Sequence, residues 1–130
     1  MITTEVSRKA WEEFCTRVTG NHHGTMVSIQ LADENGQLTA IAGDVPLQRV
    51  ELEERSGECN CVILIEAGPS NQRALQHRVI EPMHIKLKEA DVNDRFNRLH
   101  ILAENGTTII TLHPGLSRNI LEGLEVGGPY

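Results

Sequence analysis

The sequence predicts an α+β domain. One N-terminal amphipathic helix packs on a strongly bent antiparallel sheet, or on a small β-barrel, of about seven or eight strands. Three observations predict it. The spacing of apolar residues changes after Gly24 from the helical repeat to strict alternation. Turn signals then recur roughly every eight to twelve residues. The 130 residues, 39% of them apolar, suffice for one core and not for two.

The helix is signalled by Ser7 at an N-cap position and by Trp11, Phe14, Cys15 and Val18 on a single stripe. Gly20 and Asn21 are expected to stop it. Half of the four aromatic residues lie on this stripe, so it is expected to dock on the sheet and close the core.

Val27, Ile29 and Leu31 alternate with Ser28 and Gln30 as a half-buried strand. Asn35-Gly36 is a hairpin signal in which both turn residues are expected at positive φ. A return strand runs from Gln37 to about Ala42, and Pro46 then imposes a kink or an edge, because it cannot donate to a ladder. Val50 and Leu52 alternate with Arg49, Glu51 and Glu53. Ser56-Gly57 turns the chain into Cys59 to Ile65, an apolar run suited to a central strand, and Ala67 to Asn71 is a loop.

The second half follows the same style. Leu75, His77 and Val79 share a face up to Pro82, and Met83, Ile85 and Leu87 alternate with His84, Lys86 and Lys88. After a polar connection from Glu89 to Arg95, Leu99, Ile101 and Ala103 alternate with Arg98, His100 and Leu102. Asn105-Gly106 marks a second hairpin, whose return strand stops at Pro114-Gly115. The hairpins IQLADENG and ILAENG look alike, as a duplicated half would and as independent hairpins meeting one φ demand do; the second reading is favoured. Residues 1–114 thus form a single globular domain, and 115–130 a C-terminal tail, either a short helix or disordered.

Several classes are excluded. The longest apolar run, Cys61 to Ile65, spans no bilayer, and no membrane role is expected. Glu5, Glu12 and Glu13 replace the basic start of a secretory signal, so the expected location is cytoplasmic, with Cys15, Cys59 and Cys61 as free thiols. Cys59 and Cys61 lie on one face of a strand but have no second ligand pair at zinc-site spacing. His22-His23 sits at the helix end, where histidine suits the dipole. No nucleophile elbow and no glycine-rich phosphate cradle opening a helix occurs. No cofactor, no metal ligand and no catalytic residue is therefore assigned, and an enzyme or small-ligand carrier is the weaker class.

Charge is segregated. From Asp33 to Glu66 eight acids face two bases, whereas from Gln72 to His100 six bases face four acids. If the strands carrying His84-Lys86-Lys88 and Arg98-His100 are neighbours, their outward residues form a basic strip, which with Arg78 is a candidate anion-binding site. A helix followed by a strongly bent sheet is also the layout of Sm-like RNA-binding barrels. The chain lacks a stacking platform, so nucleic acid is disfavoured as a partner. Pairing of the strip with the acidic Glu51-Glu53-Glu54 edge, within one molecule or between two, is favoured instead.

The order of these signals resembles a family of short, uncharacterised bacterial proteins classed as a domain of unknown function. The likeness lies in the helix with Trp11 and Phe14, in His23-Gly24 and the strand Met26 to Leu31, in Val45-Pro46-Leu47, in His77 to Pro82 and in the hairpin Leu99 to Leu112. It covers nearly the whole chain up to Pro114. Members carry more aromatic residues in the early strands than this chain does. The resemblance implies bacterial origin and a compact α+β or barrel-like domain, and brings no catalytic residues. With chemistry unsupported, the expected function is non-enzymatic: a protein-binding or assembly module acting as a homo-oligomer or on a protein partner.

Overall fold

The computed structural model describes residues 3–54, 61–69, 73–89 and 95–129. In chain order these form β1 (Thr3–Val6), a 3₁₀ turn (Arg8–Ala10), α1 (Trp11–His22), β2 (Met26–Ala32) and β3 (Leu38–Glu54). Then come β4 (Cys61–Ala67), β5 (Leu75–Ile80), β6 (Pro82–Glu89), β7 (Arg95–Ala103) and β8 (Gly106–Ser117), a 3₁₀ turn (Arg118–Leu121) and β9 (Val126–Pro129). The turn expected at Ser56-Gly57, residues Cys59 and Asn60, the end of the loop at 70–71 and the connection at 90–94 lie outside the described residues.

All pairings are antiparallel, and the spatial order is β5-β4-β3-β2-β8-β7-β6-β1-β9. Two meanders, β2 to β5 and β6 to β8, are joined where β2 pairs with β8. The sheet is strongly curled and remains open, with β5 and β9 at its ends. The bent sheet is therefore the alternative the chain adopts, and not the closed barrel.

Three features bend it. Gly43 and Asp44 bulge out of β3 opposite Ser28, whose Oγ accepts from the Asp44 backbone N–H at 3.3 Å, with Asp44 at φ 43°. Past the bulge β3 changes partner: Leu47 bonds back to Gly24 and Thr25, while Pro46 accepts from Gly68 and the strand runs on beside β4. The kink expected at Pro46 is thus a change of neighbour within one long strand, not a break between two. The third is Glu81, the one residue between β5 and β6, held at φ 51° with its N–H on the Cys61 carbonyl.

Helix α1 buries Trp11, Phe14, Cys15 and Val18 on the predicted stripe and packs on β3. Thr19 pins it by accepting from the Val50 N–H at 3.0 Å and donating to the Val50 carbonyl at 2.8 Å. Gly20 and Asn21 do not end the helix. It runs on to His22, and Gly24 at φ 89° turns the chain away. Ser7 precedes the 3₁₀ turn instead and makes no side-chain cap.

The alternation read along the strands is observed over most of their length. Leu75 and Met83, expected on the inner face, are exposed, Met83 where the β6–β7 register shifts between Pro82 and His84. Val27, Ile29, Ile63, Ile65, Ile85, Leu87, Leu99, Ile101, Ile110 and Leu112 all face one core with the helix stripe. Strand β8 does not stop at Pro114. Residues 112–115 bulge opposite Asn97, which accommodates a proline, and pairing resumes at Leu116. Beyond it Leu116 and Ile120 enter the core, Arg17 donates to the carbonyls of Ile120 (3.2 Å) and Glu122 (2.5 Å), and β9 pairs with β1.

The hairpin turns differ from the sequence expectation in φ. In the first, Gly36 alone takes positive φ (81°), while the Asp33 carboxylate accepts from the N–H groups of Asn35 and Gln37. In the second, Glu104 and Asn105 are the loop and Gly106 already pairs with Ala103.

Candidate functional site

Strands β6 and β7 are neighbours, and their register places Lys86 opposite His100 and Lys88 opposite Arg98. The alternate residues Ile85, Leu87, Leu99 and Ile101 are buried, so these four basic side chains share the outer face. Thr111 of β8 lies opposite Arg98, and Ser28 of β2 lies opposite Thr111. The result is a strip of cations bordered by hydroxyl groups.

Like charges placed directly across an antiparallel pair repel. Among the described residues neither Lys88 nor Arg98 has an acidic partner to offset this. His84 is placed differently: its Nδ1 lies 3.0 Å from Glu5 Oε2, and Glu5 also stands opposite Lys86. Arg78 is not on the strip. It lies on β5, where its Nε donates to Glu53 Oε1 at 3.2 Å.

His100 is the least ordinary member. Burial, then the nearby charges of Lys88, Arg98 and Lys86, push its pKa down to about 4, so it is neutral at pH 7. Its Nε2 is buried and has no hydrogen-bond partner among the described residues. A buried lone pair is cheaper to leave unpaired than a buried N–H, which assigns the proton to Nδ1. The strip therefore carries three fixed charges and one neutral donor.

The acidic edge is occupied by its own arginines. Arg49 pairs with Glu51 at 2.9 Å and also with Glu66, and Arg78 pairs with Glu53. The strip does not meet Glu51 or Glu53 within one molecule. Glu5 is the residue that sequence reasoning missed, because four residues before a helix are too short to display alternation.

Other chemistry has little purchase. Cys15 is buried on the helix stripe, its pKa pushed up to about 12, which keeps the thiol protonated and inert. Cys61 faces the core. Among the described residues no three of His, Cys, Asp and Glu gather as a metal site. A cleft of about 450 Å³ lies between α1 and β3, lined by Glu12, Cys15, Thr16, Thr19, Gly20 and Arg49 to Leu52. Thr16 and Thr19 there already bond to backbone groups, and Arg49 to carboxylates. Among the described residues no helix is long and apolar enough to cross a membrane.

Residues 2–117 match the model of a family described as being of unknown function (DUF5335). No curated protein and no solved structure matches the chain.

Proposed function

Because the chain belongs to a family of unknown function, which brings no activity with it, we propose from its own geometry that it is a non-enzymatic assembly module joining copies of itself through complementary charge. The separation of charge along β7 carries this. Lys88 and Arg98 lie toward the β6–β7 connection, whereas Glu104 lies in the turn at the opposite end of β7. The β2–β3 turn with Asp33 and Glu34 sits beside it, since Ala32 pairs with Thr107. Six residue steps along the strand separate Arg98 from Glu104, about 20 Å. That exceeds the Debye length of about 8 Å at physiological salt, so the two ends do not neutralise each other within one molecule.

A second copy offers its acidic turns to the cations of the first. Such a head-to-tail contact uses two different patches, and it generates a ring if the rotation closes or an open chain if it does not. The inert Cys15 thiol, and a cleft in which Thr16, Thr19 and Arg49 are already engaged, support a binding role over catalysis.

Size-exclusion chromatography with light scattering at low and high salt tests the proposal. The expected result is an oligomer at low salt that dissociates as salt rises. The Lys88→Glu/Arg98→Glu chain is expected to be monomeric at low salt, and adding Glu34→Lys/Glu104→Lys to it restores assembly. A wild-type monomer at both salt concentrations sinks the idea.

A further inference from the structure

We propose that the outer face of β6 and β7 binds the phosphates of an extended polyanion, through Lys86, Lys88 and Arg98, without reading any base. The inference goes beyond self-association and does not require it.

Three features of the face point to a chain of phosphates. The first is linear order. Lys86 and Lys88 follow one another along β6 at about 6.8 Å, with Arg98 directly across from Lys88, so the positive charge forms a row and not a point. A row of cations suits a row of anions and offers little extra to a single carboxylate. The second is the donor set. The Arg98 guanidinium presents a planar fork to oxyanions, Thr111 adds a hydroxyl beside it, and the Nδ1–H assigned to His100 adds a neutral donor beside Lys86. A phosphoryl group has more oxygens than a carboxylate to accept from several donors at once. The third is the absence of counter-charge: among the described residues Lys88 and Arg98 have no acidic partner, so a bound anion relieves their mutual repulsion.

Among the described residues this face offers bases no stacking platform. The aromatic residues Trp11, Phe14 and Phe96 are all buried in the core, so among the described residues none is exposed for stacking. Binding is therefore of phosphate and charge alone, and it falls steeply with salt. Lys88 and Arg98 are the cations that lack an acidic partner among the described residues, and Lys86 stands opposite Glu5. The slope of log K against log salt is therefore expected to lie between about −1.4 and −2 for a single-stranded polyanion.

The full chain, titrated with linear polyphosphate, with a fluorescent oligouridylate and with polyglutamate of similar length across a salt series, provides the test. Glu34→Lys/Glu104→Lys is included, because it reverses the charge of two of the three acidic residues in the turns and so opposes self-association, yet leaves the strip intact. The expected result is binding of a phosphate polymer by both chains with a slope between about −1.4 and −2, at least tenfold tighter than polyglutamate. Lys88→Glu/Arg98→Glu should weaken it tenfold or more, and Arg78→Glu, on another part of the sheet, should leave it unchanged. Binding of polyphosphate alone identifies phosphoanhydride chains as the source, and binding of both polymers admits nucleic acid. No binding at low salt, equal binding of polyglutamate, or retained binding by Lys88→Glu/Arg98→Glu overturns the proposal. Monomeric wild type that still binds phosphate removes the assembly proposal and leaves this one standing.

Discussion

The Nε2 atom of His77 on β5 lies 3.0 Å from Oγ1 of Thr108 on β8, although β4, β3 and β2 separate those two strands in hydrogen-bonded order. The curl of the sheet alone brings them together, and the bond ties the two meanders across the core. Thr108 is only 2% exposed, so its hydroxyl has no water to replace the imidazole.

Thr108→Val keeps the shape and removes the hydroxyl, and should cost about 1–2 kcal/mol in urea unfolding. A double-mutant cycle with His77→Ala should return a coupling of about 0.5–1.5 kcal/mol. Additive effects would show that the bond does not tie the meanders together.

A methyl group on Gly106 would meet the Ala32 carbonyl oxygen at 2.6 Å, and the residue sits at φ 151°. Gly36, at φ 81°, has no atom within 4 Å of the same position. Gly106→Ala should therefore cost about 2–3 kcal/mol, through overpacking against a backbone that cannot retreat, whereas Gly36→Ala should cost about 1 kcal/mol of backbone strain. Equal costs in denaturant unfolding would show that the approach of β2 is not what demands glycine.

Stability should depend on pH through His100. Its native pKa, about 4, lies below the ordinary value of 6.5, chiefly through burial. Between those values the unfolded chain binds more protons than the native one. The contribution is therefore fully present above pH 6.5 and is lost as pH falls toward 4. Burial lowers His77 in the same direction. Urea midpoints for wild type and His100→Gln should converge as pH drops through this window; a constant difference would contradict the assignment.

Trp11 Nε1 donates to the Val6 carbonyl at 3.0 Å, fastening β1 to the helix stripe. Trp11→Phe leaves that buried acceptor unpaired and opens space beside it, and should cost about 2–4 kcal/mol. A loss below 1 kcal/mol in urea unfolding would mean that β1 is held by its sheet partners without the indole.

How far the site was legible follows from particular residues. The parity of Lys86, Lys88, Arg98 and His100 could be read from alternation, since Ile85, Leu87, Leu99 and Ile101 are apolar on every second position. Arg78 has the same local appearance, but its strand joins the other meander, and only the sheet order assigns it to Glu53. Strand β1 and strand β9 are four residues each, too short to show a period, and β9 is half glycine.

The sequence by itself determined the inside and outside of nearly every strand and the buried face of the helix, because side-chain direction repeats locally at every second residue or about every 3.6. Tertiary structure decided which strands became neighbours, where β3 changed partner, that His77 met Thr108 and that the basic strip stood clear of the acidic edge. Those outcomes depend on contacts between residues far apart in the chain, whose closure is set by the bulge at Asp44, the corner at Glu81 and the accumulated curl of the sheet. No local repeat encodes them.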